Sequence, residues 1–198
     1  MNLERLNSIL PAKVAEQIPS VVEKFKIDTT LRLAHFLAQC AHESGSFKAT
    51  KENLNYSAQG LLKTFPKYFK DLETAKQFER KPDAIADRVY GGRMGNTEPN
   101  HGSMYKGRGY IQLTGRTNYS AFDKFVEEDI LANPELVSTK YPMLSAAWFW
   151  DSRKLNAIAD TRSTDIVVTK ITKLVNGGTH GLEDRLKKFR VFFSTLSS

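Results

Sequence analysis

Apolar positions recur at intervals of three and four through most of the chain, which predicts a succession of short helices. Leu3, Leu6, Ile9 and Leu10 mark the first, and Pro11 ends it or opens the next. Asp28-Thr29-Thr30 offers N-cap candidates for a helix carrying Leu31, Ala34, Leu37, Ala38 and Ala41. Leu33, Phe36 and Cys40 make that helix apolar nearly all round, so it is predicted to be central and buried. Ser57 caps a helix through Leu61, Leu62 and Phe65, and Pro82-Asp83 opens one that turns Ile85, Val89 and Tyr90 inward. Further helices are predicted over 118–126, 144–150, 164–175 and 182–193. The glycine-rich stretch from Gly91 to Gly109 predicts a long loop, and Arg93, Tyr105 and Arg108 within it favour a functional one. Tyr110-Ile111-Gln112-Leu113 is the candidate for a short strand or hairpin arm. The expected fold is mainly α, with little or no β.

Composition narrows the class. The chain has 198 residues, 40% hydrophobic and 11% aromatic, enough for a real core. That size predicts one domain over 1–198, with two lobes around a cleft and the smaller lobe at about 46–105. The single cysteine, Cys40, excludes an internal disulfide framework and reads as a core residue, as does His35. No run approaches about 18 apolar residues, and the N-terminus lacks the apolar stretch of a secretory signal, so synthesis in a cytoplasm is expected.

Charge adds a partner class. Lys and Arg number 29 against 22 Asp and Glu, a net charge of +7. Nucleic acid, an anionic membrane face and an anionic cell wall all fit that excess. The cations are scattered and no nucleic-acid reader motif is present, which argues against nucleic acid. The densest cluster, Arg185 to Arg190, reads as the solvated face of an amphipathic C-terminal helix.

The candidate chemistry starts at Glu43. The central helix runs into Ala41-His42-Glu43-Ser44-Gly45, with Gly45 a natural residue just past the C-terminus. A helix C-terminus and apolar surroundings both disfavour negative charge, so they favour the protonated carboxyl a general acid needs. A second acid, Glu52, follows beyond the break at Gly45-Ser46-Phe47. Two carboxyls in different settings form the template for glycoside hydrolysis. An inverting pair stands roughly 6.5–9.5 Å apart to admit a water. The stretch from Tyr105 to Tyr119 mixes glycines, amides, hydroxyls and aromatics, the groups a sugar groove requires. It matches neither a dinucleotide fingerprint nor a P-loop.

Together these motifs resemble glycoside hydrolase family 19, the chitinase-type family that also contains bacteriophage endolysins. The resemblance rests on Ala41 to Gly45, Gly107-Arg108-Gly109-Tyr110-Ile111-Gln112-Leu113-Thr114, Ala147-Trp148-Phe149-Trp150, Val175-Asn176-Gly177-Gly178 and Asp184-Arg185, in family order. It implies a lysozyme-like, chitinase-like helical fold with no metal or organic cofactor. It implies that Glu43 is the general acid, Glu52 the base acting on water, and Thr114 the hydroxyl that helps hold that water. Gln112 and Asn118 would bind sugar amides or hydroxyls, and Tyr110 and Arg108 would join them. Asn176 and Arg185 would line the cleft and tune the carboxyls. Trp148 and Trp150 read as core. Arg88 to Asn96 resembles a segment of the endolysin branch, which would put Tyr90 and Arg93 on one cleft wall. The short Glu43–Glu52 spacing and the lack of disulfides also resemble that branch. The family motifs fill most of the chain, so the resemblance implies a single catalytic domain over 1–198, its lobes flanking a substrate cleft, with no separate wall-binding domain expected.

The expected function is therefore a muramidase-type endolysin. It would cut β-1,4 bonds of peptidoglycan by an inverting mechanism, as a monomer. It would act on the periplasmic wall after release by a holin-type membrane-permeabilising partner. A chitinase on the same scaffold and a lytic transglycosylase are the alternatives.

Overall fold

The computed structural model describes residues 1–161 and 165–197. After a 3-10 turn at Glu4–Ser8 come α1 (Ala12–Ala15), α2 (Ile18–Phe25), α3 (Thr30–Glu43), α4 (Ala58–Thr64), α5 (Leu72–Phe78), α6 (Pro82–Tyr90) and α7 (His101–Met104). The series continues with α8 (Arg116–Asp123), α9 (Leu136–Thr139), α10 (Pro142–Ser152), α11 (Leu155–Ala159), α12 (Asp165–Asn176) and α13 (Leu182–Ser197). Two isolated bridges and no strand occur among the described residues, so the chain is mainly α. The predicted start of the α12 region, Thr164, lies outside the described residues.

The chain divides into two compact units. The first holds 1–50, 109–112 and 139–198, and the second holds 51–108 and 113–138. In the first unit α3 is the core element. Every residue from Leu33 to Ala41 is buried. Thr29 caps its start by accepting from the Arg32 amide at 3.2 Å. α13 packs along α3, His35 stacks on Phe189 at 4.0 Å, and Phe36 meets Trp150 edge-on at 5.6 Å. Trp148 and Trp150 are both buried, and Cys40 is fully enclosed, where burial pushes its thiol well above the ordinary range.

The second unit closes over its own core of Leu54, Leu61, Phe69, Ile85 and Val89, with Tyr56, Phe65 and Tyr90 packed at its edge. Ser57 caps α4 by accepting from the Gly60 amide at 3.1 Å, and Asp71 caps α5 by accepting from the Thr74 amide at 2.7 Å.

Three sequence expectations change. Tyr110 to Leu113 is not a strand. Arg108 and Leu113 exchange backbone hydrogen bonds at 3.1 and 2.7 Å, which folds the residues between them into a turn. Gly109 makes that turn possible with φ +86°, and a Cβ there would collide with the Ser145 hydroxyl. The helix expected over 118–126 starts earlier, at Arg116, because Gly115 with φ +87° ends the preceding loop. It stops at Asp123, whose carboxylate accepts from the Ile130 amide at 2.9 Å and turns the chain. The glycine-rich loop from Gly91 to Gly109 contains the short helix α7.

Candidate active site

Glu43 is the last residue of α3, and its backbone exit is closely held. The Gly45 amide donates to the His42 carbonyl at 3.2 Å and the Ser46 amide to the Ala41 carbonyl at 2.6 Å. This is a Schellman pair, with Gly45 at φ +58° as expected. Ser46 and Phe47 continue with φ +61° and +64°, which costs a non-glycine residue about 1–2 kcal/mol each. Packing offsets that cost: Phe47 is buried and meets Tyr110 edge-on at 5.1 Å, and its amide donates to the Ser44 hydroxyl at 2.8 Å.

The setting of the Glu43 side chain differs from the apolar one expected. Oε1 accepts from the Arg185 guanidinium of α13, whose side chain is only 1% exposed. Arg185 also donates to Gln39 Oε1 and, through Nε, to the His180 carbonyl at 3.2 Å. Gln39 in turn reaches the Thr172 hydroxyl at 3.3 Å, and all of this lies inside the first unit. Among the described residues Glu43 Oε2 has no hydrogen-bond partner, and the side chain is 25% exposed. Glu43 thus has one oxygen anchored and one open.

A parallel layer lies beside it. His42 Nδ1 pairs with Asp184 Oδ2 at 2.6 Å, and Lys188 binds both Asp184 oxygens. Burial alone would raise the Asp184 carboxyl, but Lys188 and His42 outweigh it and hold it below the usual range. The His42 ring sits directly on Gly181, where φ is +67° and a Cβ would overlap the imidazole. Asn176 closes the 176–180 turn, with its amide donating to the His180 carbonyl at 3.1 Å and its oxygen accepting from the Gly178 amide at 2.8 Å. Asn176 and Arg185, expected to line the cleft and tune the carboxyls, both donate to the His180 carbonyl, and Arg185 alone reaches Glu43. The basic cluster on α13 is likewise not a solvated face throughout. Arg185 points inward, Lys188 pairs with Asp184, and Arg190 binds both oxygens of Asp165.

Removing the guanidinium strands several acceptors at once. Arg185→Met leaves Gln39 Oε1, Glu43 Oε1 and the His180 carbonyl without this donor. The expected loss is about 2–4 kcal/mol of stability, below the full cost of breaking a buried pair because Glu43 is partly exposed. Urea unfolding measures it. A change within about 0.5 kcal/mol would show that the guanidinium is not what anchors α13 to α3.

Glu52 belongs to the second unit, just before the loop that leads to α4. Its amide donates to the Gly107 carbonyl at 2.9 Å, and the Gly107 amide returns a hydrogen bond to Oε1 at 2.5 Å. Oε2 accepts from the Tyr90 hydroxyl at 2.8 Å. Both oxygens receive, as those of an acceptor-only carboxylate do. Burial first, and then the Glu52 charge, push the Tyr90 phenol well above its ordinary range, so it stays a donor here. Arg93, just past α6, donates to the Tyr68 hydroxyl and to the Val89 carbonyl.

The remaining predicted residues divide by exposure. Thr114 is half-buried in the second unit, where its carbonyl accepts from the exposed Asn118 amide at 2.8 Å. Gln112 is exposed at the 109–112 turn of the first unit. Tyr110 and Arg108, both expected on sugar, are instead enclosed. Tyr110 is 2% exposed, with Gln17 as hydrogen-bond partner of its hydroxyl. Arg108 is 4% exposed and donates from all three nitrogens, to Glu135, the Met104 and Lys106 carbonyls and the Tyr119 hydroxyl. It braces the loop that presents the Gly107 amide to Glu52. Sequence reasoning missed Glu135, which pairs with both Lys51 and Arg108. It also missed Gln39, although a polar side chain within the apolar run from Leu33 to Ala41 is a visible signal.

Burial would raise the Glu135 carboxyl, but the hydrogen bonds and charges of Lys51 and Arg108 win and hold it at about 2. The folded value lies below the ordinary glutamate value of 4.5, so Glu135 contributes its stability above about pH 4.5. That contribution is lost as pH falls toward about 2. The stability gap between wild type and Glu135→Gln should therefore narrow through this window, as followed by urea midpoints at graded pH. A constant gap down to the lower limit would contradict the assignment.

Among the described residues no group of three His, Cys, Asp or Glu side chains is placed to hold a metal ion. What the two clusters can do is acid–base chemistry. One carboxyl can exchange a proton through an open oxygen, and another can receive from water while two donors orient it.

Comparison with known proteins agrees with this chemistry. The family described as "Chitinase class I", glycoside hydrolase family 19, matches residues 25–179. A "Glycosyl hydrolase family 19 domain-containing protein" of Haemophilus influenzae is 41% identical over 194 residues, covering 96% of this chain and 94% of that one. An acidic endochitinase of Petunia hybrida is 33% identical over 113 residues, 45% of this chain and 44% of its own. Chitinase C from Streptomyces griseus shares the fold with a TM-score of 0.62 at 20% identity, over 100% of this chain and 92% of that one. With the family's span covering both Glu43 and Glu52, and a bacterial relative matching nearly end to end, the chain belongs to glycoside hydrolase family 19.

Proposed function

We propose that this glycosidase hydrolyses the β-1,4 bonds of bacterial peptidoglycan by an inverting two-carboxylate mechanism, as an endolysin does. The observation that carries the reading is the contrast between the carboxyls. Glu43 keeps Oε2 open on an arm fixed by Arg185, which suits a general acid that protonates the leaving oxygen. Glu52 is held through both oxygens by Tyr90 and the Gly107 amide, which suits a base that takes a proton from the attacking water. In this reading Thr114 helps hold that water, and Gln112, Asn118, Tyr90 and Arg93 contact the glycan.

Peptidoglycan is favoured over chitin by charge and by spacing. The chain carries +7, and bacterial walls are anionic while chitin is neutral, so encounter with the wall is steered and weakens with salt. Glu52 follows Glu43 after only nine residues, the compact pattern of the endolysin branch. In that role the enzyme works as a monomer on the periplasmic wall, once a membrane-permeabilising protein has released it. Chitin cleavage is the second reading, favoured by the identity with plant endochitinases.

Mass spectrometry of products from purified peptidoglycan and from chitin oligomers tests the assignment. Hydrolysed muropeptides with ordinary reducing ends, formed faster than chitin fragments, are expected. Faster turnover of chitin would replace the first reading by the second. Anhydro-sugar ends would assign a transglycosylase.

A further inference from the structure

An open pocket of about 420 Å³ lies in the second unit, lined by Lys67, Tyr68, Lys70, Asp71, Thr74 and Arg88. Three cations face one carboxylate. That carboxylate is already committed, since Asp71 accepts from the amide and the hydroxyl of Thr74 at 2.7 and 2.9 Å. Lys67 and Lys70 make no ion pair among the described residues.

Arg88 is the organising group. Its Nε donates to the Tyr68 carbonyl at 2.8 Å. Its guanidinium lies over the rings of Phe78 and Phe69, at 4.9 and 5.3 Å. Those contacts fix the plane of the fork. Neither Nη has a hydrogen-bond partner among the described residues. A guanidinium held in place with both Nη groups open is pre-organised for a planar two-oxygen anion.

We propose that this pocket binds carboxylates of the acidic stem peptides carried by peptidoglycan strands, and so selects wall glycan over neutral chitin. The inference rests on the proposed function and names its specificity determinant. Position supports it. α6 carries both Arg88 and Tyr90, and Tyr90 donates to Glu52. The two side chains leave the helix nearly opposite one another, so the pocket lies roughly one helix diameter, about 10–12 Å, from the Glu52 contact. A stem peptide of three or four residues spans about 10–14 Å when extended. Arg93 ties the Tyr68 ring to the carbonyl of Val89, next to Tyr90. A neutral polysaccharide would bring these three cations no countercharge beyond Asp71.

The test has two arms. In the first, the tripeptide L-Ala-γ-D-Glu-meso-diaminopimelate, its amidated form and inorganic phosphate are titrated into the full-length protein and followed by NMR. The acidic tripeptide is expected to shift the amides of residues 67–74 and the Arg88 side chain. The amidated form should not, and Arg88→Lys should remove the response by losing the fork. Equal response to the two peptides, no response to either, or tighter binding of phosphate overturns the proposal. In the second arm, kcat/KM is measured on glycan strands with their stem peptides and on strands stripped of them. The ratio of the two should fall about fivefold to tenfold in Lys67→Gln/Lys70→Gln, two exposed positions that leave the fold intact. An unchanged ratio overturns the proposal. Absence of peptidoglycan cleavage by the wild type defeats the proposed function instead, and the NMR arm still decides the pocket.

Discussion

Glu43→Gln is expected to lower hydrolysis by roughly 10²–10⁴-fold, the range typical of losing a general acid. The amide is nearly isosteric, and its oxygen can still accept from Arg185, so α3 keeps its anchor on α13. What disappears is a transferable proton at the oxygen that faces outward. The effect should fall on kcat, with KM little changed, because the interaction matters only as the leaving oxygen gains charge. Exchanging a charged partner of the buried Arg185 for a neutral one also costs about 1–2 kcal/mol of stability. Circular dichroism and a urea midpoint run beside the kinetics separate that cost from the chemical one. Retention of more than a tenth of wild-type kcat in a folded variant would remove Glu43 from the acid role.

Glu52→Gln should cause a loss of the same order, for a different reason. The local structure tolerates the change well. The Gly107 amide can only donate, so the Gln oxygen stays with it. The Gln amide then faces the Tyr90 hydroxyl, which can reverse its role and accept. On the proposed mechanism the fold is kept and the base is lost. Product analysis distinguishes mechanisms here. An inverting hydrolase without its base yields almost no reducing-end product, whereas a transglycosylase, which needs one carboxyl, continues to release anhydro-sugars. Added azide sharpens the test. It attacks without deprotonation and should restore part of the turnover as a glycosyl azide of inverted configuration. Full hydrolysis by a folded Glu52→Gln variant would move the base role to another group.

Much of the fold could be read from local signals. Thr29 and Ser57 act as the caps their positions suggested, and α3 is buried on every face as its apolar pattern required. α2 and α5 were missed. α2 carries Pro19 in its first turn, which reads as a break until one sees that the first helical amides need no partner. α5 exposes Leu72 and buries little besides Ala75, so its apolar signal is thin. The short strand or hairpin arm suggested at Tyr110 to Leu113 is a tight turn closed by an antiparallel bridge between Arg108 and Leu113, a pairing that no propensity records.

The site was legible as a set of residue types more than as a set of contacts. Glu43, Glu52 and the Gly107–Thr114 motif stood out because chemistry restricts which residues can occupy such a pattern. Arg108 and Tyr110 stood out for the same reason and proved to be internal braces, since a guanidinium or phenol in a motif looks alike whether it faces sugar or core. The partners that set each carboxyl come from far along the chain. Arg185 lies 142 residues from Glu43, and Gly107 lies 55 from Glu52.

The sequence by itself determined the helical class, the central helix, its glycine exit and the position of the two carboxyls proposed for the chemistry. Each of these depends on local periodicity, capping or backbone freedom within a few residues. Only the tertiary structure decided that Glu43 is tethered through one oxygen, that Glu52 is held through both, and that Arg88 offers an open fork. Those facts depend on which distant donors folding brings to within about 3 Å, and hydrogen bonding at that range is lost within a fraction of an ångström that no local pattern encodes.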